Sequence, residues 1–274
     1  MTQAGLMTGA SHSPRHKRLV KVSANELQAQ LSKAFLGLGL STAAAADSSD
    51  MICWLEIHGF DVIPLLNQSL ELLATHQDSG HSDASPISYL HWQPEEKTLV
   101  CDARGSSTLP YSNLWLEYAR SLSAQHGAIK VDVRKAPDAF LAVGYLAKFV
   151  SAGINICGYS QRSNESTAVV FKFDASKALT EAWSVARPPS ESTLQLVLSP
   201  VDQGAFDKVF EEFDVQTAAA IYHKTREDLL KSHDEYLSSG IEISRELWEE
   251  LKHHGTATLV EADEQSRSGA GPSD

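Results

Sequence analysis

The middle of the chain, from residue 88 to residue 198, alternates short apolar runs with amphipathic helical patterns, and this alternation limits the available folds most. Apolar runs bounded by turn residues predict strands, and apolar residues at helical spacing predict helices between them. The succession over 128–159 is a strand–helix–strand unit, which predicts a parallel pair with a right-handed crossover. The pattern predicts strands at 88–92, 98–102, 128–133, 154–159, 168–173 and 193–198, and helices at 113–126, 139–152 and 176–185.

Helical patterns without strands flank this region on both sides. Ser23 and Glu26 form a capping-box signature, and Leu27, Leu31 and Ala34 follow at helical spacing. These patterns predict an α/β fold with helical N-terminal and C-terminal segments packed around a mixed sheet. The predicted segments are a flexible arm (1–18), an N-terminal helical segment (19–76), a loop (77–86), a sheet core (87–200), a C-terminal helical segment (201–257, with helices at 203–213, 215–237 and 244–254) and a disordered tail (258–274).

Charge and composition exclude several classes of protein. The 23 Lys and Arg residues against 35 Asp and Glu give a formal charge of −12, which argues against binding nucleic acid or an anionic membrane because both need a basic surface. No apolar run approaches the roughly 18 residues that span a bilayer, and the polar start lacks the apolar core of a secretory signal. Cys53, Cys101 and Cys157 cannot all pair with one another, so we expect reduced thiols in a cytoplasmic protein.

The local motifs identify no chemistry by themselves. Gly37 and Gly39 follow a helix and lack a third glycine, so they indicate a helix end and not a dinucleotide site. His12 and His16 have metal-ligand spacing, but they lie in a Ser- and Pro-containing arm and predict no metal site. The Cys101-Asp102 pair and Asp174 follow apolar strands. Asp102 and Asp174 are therefore candidate general bases or ligand anchors, or caps of the following turn, and Cys101 is a candidate nucleophile or a buried structural residue.

The order of several longer stretches carries more information. The chain resembles the malate/L-lactate dehydrogenase family that lacks a Rossmann fold, the group that includes ureidoglycolate and Δ1-piperideine-2-carboxylate reductases. It is more similar still to an uncharacterised bacterial family, a domain of unknown function on this scaffold, whose members begin with VSxNE and end with a GIE-type segment and a GAG tail. The stretches that carry the resemblance are 20–47 (VKVSANELQAQLSKAFLGLGLSTAAAAD), 127–156 (GAIKVDVRKAPDAFLAVGYLAKFVSAGINI), 196–214 (LVLSPVDQGAFDKVFEEFD) and 238–255 (SSGIEISRELWEELKHHG).

The resemblance implies a catalytic turn whose key residues are absent here. An ungapped register places Gly59 and Asp61 on the family's catalytic turn, so that Val62 and Ile63 occupy the positions of its serine and catalytic histidine. A shifted register would instead put His58 on that histidine. In the central motif, Ala139 occupies the position of the family's second histidine, with Phe140 retained. The cofactor region between Tyr159 and Thr193 is also shortened, with 173–176 as a candidate remnant of a cofactor-binding strand end.

These departures leave three hypotheses about function. Valine and isoleucine cannot donate the proton that reduction of a 2-keto or 2-imino acid requires, which favours a redox-silent relative that binds a small carboxylate, an amino-acid-type metabolite or a partner subunit without a cofactor. The alternative is an NADH- or NADPH-dependent reductase with His58 as proton donor, supported by Asp102 or Asp174. The third hypothesis is a cofactor-free isomerase, lyase or hydrolase that uses Asp102, Cys101 or His58. The resemblance also implies a homodimer, for which the apolar stripes of the N-terminal helices are candidate surfaces.

Overall fold

Three helices follow one another at the start of the described chain. The computed structural model describes residues 18–78, 89–161, 167–175, 177–186, 192–200 and 220–257. The helices are α1 (Ala24–Gly37), α2 (Thr42–Ile57) and α3 (Ile63–Asp78). Ser23 caps α1 through the predicted capping box, because its hydroxyl accepts from the N–H of Glu26 while the Glu26 carboxylate accepts from the N–H of Ser23 at 2.8 Å. The Ser41 hydroxyl caps α2 by accepting from the N–H of Ala44. The predicted N-terminal helices are confirmed.

A short two-stranded sheet joins the two ends of the described chain. Strand β1 (Leu19–Val22) pairs antiparallel with β10 (Ile241–Ser244), with Val22 opposite Ile241 and Val20 opposite Ile243. Helix α6 (Arg226–Ser239) precedes β10, and helix α7 (Arg245–Thr256), capped by Ser244, follows it. The predicted helix at 244–254 is confirmed. The sequence pattern does not predict either strand of the β1–β10 pair.

An eight-stranded mixed sheet lies at the centre of the fold. Its strands are β2 (Tyr89–Gln93), β3 (Thr98–Asp102), β4 (Ile129–Arg134), β5 (Ile154–Gln161), β6 (Thr167–Asp174), β7 (Lys177–Ala186), β8 (Ser192–Pro200) and β9 (Ala220–Thr225). They are arranged in the order β2–β3–β4–β8–β5–β6–β7–β9, and β3–β4 is the parallel pair among the described strands. Helices α4 (Ser112–His126) and α5 (Val143–Val150) connect its strands, each preceded by a 3-10 turn (Leu109–Tyr111 and Ala139–Ala142).

The predicted parallel pair at 128–159 is wrong in its pairing. Strands β4 and β5 point the same way, but β8 lies between them and pairs antiparallel with both, so that Val131 faces Leu196 and Ile156 faces Leu198. A strand–helix–strand pattern along the chain cannot show whether a strand from elsewhere in the sequence is inserted between its two strands.

Two predicted helices are strands over part or all of their length. Residues 176–185 were expected to be helical, but Lys177–Ala186 form β7, which pairs with β6 on one side and β9 on the other. The predicted helix at 215–237 contains β9 up to Thr225 and becomes helical only at Arg226. Alanine, leucine and glutamate favour helix locally, and pairing with neighbouring strands overrides that weak preference. The predicted arm and tail and the helix at 203–213 fall outside the described residues, as does most of the predicted loop at 77–86.

The apolar stripes of the N-terminal helices pack inside the chain. Leu27, Leu31 and Phe35 of α1 and Ile52 and Leu55 of α2 are fully buried in one large hydrophobic cluster that also contains the facing side of the sheet. These stripes are therefore not available as a dimer surface, which corrects that expectation. Among the described residues, no helix combines the length and apolar character that a membrane crossing requires.

Candidate functional site

The turn between α2 and α3 is the segment that the resemblance identifies as catalytic. His58 ends α2, and Gly59 has a φ of +74° while its N–H donates to the Glu56 carbonyl at 2.8 Å. Asp61 also has a positive φ, +47°, a conformation that aspartate tolerates better than most residues. Two residues with positive φ, Gly59 and Asp61, thus turn the chain before α3 begins at Ile63.

Aliphatic side chains occupy the positions that the resemblance assigns to the proton donors. Val62 is 1% exposed and Ile63 packs against the same hydrophobic cluster. Ala139 is 1% exposed, and the adjacent Phe140 lies edge-on to Phe60 with ring centroids 5.8 Å apart. These residues contribute to the core and have no group that can transfer a proton.

Glu56 fixes the turn from inside. Its side chain is 4% exposed, and its carboxylate accepts from the N–H groups of Val62, at 3.0 Å, and Ile63. Burial raises the pKa of Glu56. The two backbone hydrogen bonds and Lys224 oppose this effect, and the charge of Asp61 adds to it. Glu56 was not identified from the sequence, although a carboxylate four residues after the buried Ile52 on an apolar helix is a recognisable signal.

His58 lies beside this turn with one ring nitrogen already engaged. Its Nδ1 is 2.6 Å from the Trp54 carbonyl oxygen, and its ring stacks on the Trp54 indole with centroids 4.1 Å apart. Burial lowers the pKa of His58, the Trp54 carbonyl opposes this, and the nearby His233 and Lys224 lower it further. The neutral ring therefore donates from Nδ1, which leaves Nε2 as a hydrogen-bond acceptor.

Lys224 reaches the turn from the edge strand β9. Its ammonium group donates to the carbonyl of Gly59 and lies 5.7 Å from the centre of the Phe60 ring. Burial lowers its pKa, while Asp228 and Glu56 oppose that effect. Lys224 is not among the predicted site residues, because the sequence pattern at 215–237 favours a helix.

A cavity of about 270 Å³ opens next to Glu56, between the small sheet and α6. Gly240, with a φ of +80°, lets the chain turn from α6 into β10 at its edge. Burial and the surrounding carboxylates raise the pKa of Tyr236, which contributes the only phenol of the lining. The lining residues are Lys21, Glu56, Asp61, Tyr236, Ser239, Gly240 and Glu242.

Asp102 and Asp174 end two strands that run in opposite directions, so they lie at opposite ends of the strands of the large sheet. Asp102 ends β3, where its carboxylate accepts from the N–H of Arg104 at 2.9 Å and lies 3.8 Å from the Lys135 ammonium. Asp174 ends β6, which points in the opposite direction to β3 and β5. The structure therefore does not bring the two aspartates together, and the contact of Asp102 with the Arg104 N–H is that of a turn cap.

The cysteines are buried thiols. Burial, together with Asp132, raises the pKa of Cys101, and burial raises the pKa of Cys157 to about 12. A nucleophilic cysteine needs the opposite shift. In the described part of the chain, no group of three or more His, Cys, Asp or Glu residues has the arrangement of a metal site.

Comparison with known proteins supports the scaffold. Residues 22–103 match a family model described as "Protein of unknown function (DUF3726)", and no curated protein matches the chain. The fold is similar to those of malate dehydrogenase from Pyrococcus horikoshii OT3 (TM-score 0.59, 11% identity, 88% of this chain and 97% of that one) and a dehydrogenase from Sinorhizobium meliloti (0.58, 12%, 87% and 100%). Δ1-Piperideine-2-carboxylate reductase from Pseudomonas syringae pv. tomato is also similar (0.52, 11%, 86% and 99%). The chain therefore has a malate/lactate dehydrogenase-like fold.

Proposed function

We propose that this protein is a redox-silent, cytoplasmic relative of the malate/lactate dehydrogenase-like reductases that binds a small carboxylate or amino-acid-type metabolite. The observation that carries the proposal is the position of two aliphatic residues where the resemblance expects a serine and the proton-donating histidine: Val62 is buried in the core and Ile63 packs against it. Loss of a general acid costs roughly 10²–10⁴ in rate.

The geometry of the turn supports a binding role. The Lys224 ammonium and the His58 ring lie beside an aromatic wall that includes Trp54 and Phe60. The adjoining cavity, at about 270 Å³, lies near the lower end of the roughly 300–1,000 Å³ typical of small-molecule sites. Its carboxylates complement an ammonium group, while Lys224 complements a carboxylate. An amino-acid-type ligand carries both groups.

The alternative of a reductase that uses NADH or NADPH has weaker support. It would require His58 to be protonated before hydride transfer, whereas burial and the neighbouring His233 and Lys224 favour its neutral form. With Nδ1 directed to the Trp54 carbonyl, the neutral ring presents an acceptor at Nε2.

A second candidate function is cofactor-free acid–base catalysis. Around one turn, burial raises the pKa of Glu56 and lowers those of His58 and Lys224. Such opposed shifts in one cluster are typical of catalytic groups as well as of structural ones. Turnover of an amino-acid-type substrate that disappears in His58→Gln would support this candidate over simple binding.

Tryptophan fluorescence tests the binding proposal, because Trp54 lies beside the turn. Screening a panel of amino acids and 2-oxo acids should give a saturable change in emission that Trp54→Phe removes. Trp92→Phe is the matched control, since Trp92 also stacks on a histidine, with its ring 5.4 Å from that of His126. A panel without a single saturable response would contradict the proposal.

A homodimer remains part of the proposal. With the stripes of α1 and α2 buried, exposed apolar side chains are found elsewhere among the described residues, for example Leu114 and Tyr118, one turn apart on α4. Such neighbouring exposed apolar residues are typical of association surfaces.

A further inference from the structure

We propose that His58, His233 and Lys224 together form an oxyanion site that receives the carboxylate of the ligand, and this proposal rests on the binding function given above. Three separate elements supply the three side chains: the end of α2, helix α6 and strand β9. The His58 and His233 rings lie 5.4 Å apart between centroids, and the ammonium of Lys224 acts electrostatically on His58.

On both histidine rings the Nδ1 atom already has a hydrogen-bond partner. The Nδ1 atom of His58 is engaged by the Trp54 carbonyl at 2.6 Å, and the Nδ1 atom of His233 lies 3.2 Å from the Asp234 carboxylate. Within the described residues, these contacts leave Nε2 as the position on each ring that can donate to a ligand when the ring is protonated. The His233 side chain is 33% exposed, so a ligand in solution can reach the two histidine rings.

Lys224 supplies a positive charge beside the pair. Its ammonium and the neighbouring His233 ring both lower the pKa of His58. The buried Glu56 carboxylate is directed to the backbone N–H groups of the turn. An oxyanion between the two rings would favour their protonated forms, so binding should be accompanied by proton uptake. The charged and titratable groups around the three side chains are Glu56, Asp61, Asp228, Asp234 and Tyr236.

The apolar surroundings should strengthen this interaction. The Trp54 ring covers one face of His58, Phe60 lies 6.4 Å from Trp54 between ring centroids, and Phe60 also contacts Lys224. Hydrogen bonds to a charged group are stronger where such rings exclude water.

Histidine NMR on the full chain tests the site without the natural ligand. We would follow the titration of the His58 and His233 ring protons in sodium acetate, in sodium phosphate and in sodium chloride at equal ionic strength. Acetate should move both midpoints to higher pH by about 0.5–1 pH unit relative to chloride, since an opposite charge nearby favours the charged form. A shift in phosphate alone would contradict a carboxylate site.

Variants and a control make the result specific. Lys224→Met should abolish at least half of the acetate-induced shift at His58. His126 is the internal control because it also stacks on a tryptophan, and its midpoint should be the same in all three salts. Unchanged midpoints at His58 and His233 would overturn the oxyanion site even where the fluorescence panel identifies a ligand. A clear shift without any panel response would instead support the site and count against the proposed metabolite class.

Discussion

At the scale of single residues, buried polar side chains determine how the turns of this fold are held. Asp138 is fully buried at the start of the Ala139–Ala142 turn and accepts from the N–H and hydroxyl of Thr108, at 2.8 and 3.0 Å, and from the hydroxyls of Ser107 and Ser69. It thereby ties α3 and the loop before α4 to the segment that contains Ala139. Glu56 does the same for the turn between α2 and α3.

Asp138→Ala should destabilise the protein by about 3–5 kcal/mol, because several buried donors would lose their acceptor. Urea unfolding followed by circular dichroism measures this loss. Asp102→Ala is the control, since Asp102 accepts one backbone N–H at a partly exposed turn, and it should cost about 1 kcal/mol. Equal losses for the two variants would contradict the buried network.

Glu56→Gln should change how stability depends on pH. The pKa of Glu56 is raised in the folded state, so the folded chain binds the proton more tightly than the unfolded chain. The stabilisation from that proton is complete below the unfolded pKa, about 4.3, and is lost as pH rises through the folded pKa. The wild type should therefore lose stability relative to Glu56→Gln from about pH 4.3 upward.

Urea midpoints of both proteins between pH 4 and pH 7.5 check this dependence on pH. Glu242→Gln removes the same charge at a side chain that is 58% exposed, and its midpoints should run parallel to those of the wild type. A constant difference between wild type and Glu56→Gln across this range would contradict the raised pKa.

At the scale of elements, close approach between helices limits which residues fit. A Cβ atom on Gly144 of α5 would lie 2.3 Å from the carbonyl oxygen of Met51 on α2. Gly144→Ala should therefore force these helices apart and lower stability by about 1–3 kcal/mol, measured by thermal unfolding. Gly39→Ala measures the separate cost of a positive φ, because its added Cβ would meet nothing within 4 Å while its φ is +84°. The prediction fails if Gly144→Ala unfolds at the wild-type temperature.

The elements also show what the sequence could reveal. Ser23 and Glu26 marked the start of α1 because capping depends on residues within one turn of the chain. The insertion of β8 between β4 and β5 depends on residues at least 34 positions apart, which local patterns cannot show. His58 was identified from the resemblance, whereas Lys224 and His233 join it only through the packing of β9 and α6, which no local signal revealed.

At the scale of the whole molecule, the chain has a malate/lactate dehydrogenase-like fold in which side chains of the turn between α2 and α3 contribute to the hydrophobic core. The Glu56 carboxylate accepts a backbone hydrogen bond from the turn between α2 and α3, and the Val62 side chain of this turn is buried. The Gly59 carbonyl accepts from Lys224 of β9. We propose that Val62 and Ile63 separate this scaffold from hydride transfer, because neither side chain can donate a proton.

Association is a property of the whole molecule as well. We expect light scattering after gel filtration to give twice the 29.8 kDa of one chain. Leu114→Glu, which places a charge on an exposed apolar position of α4, should shift the protein toward monomer if this surface forms the interface. Leu230→Glu on α6 provides the matched control at another exposed leucine. A mass of one chain for the wild type would contradict the proposed homodimer.

Calorimetric titration of NADH and NADPH into the wild-type protein tests redox silence most directly. Neither coenzyme should bind up to about 1 mM, the upper end of the concentrations at which enzymes typically bind their substrates. Saturable binding of NADH or NADPH with a micromolar dissociation constant would contradict it.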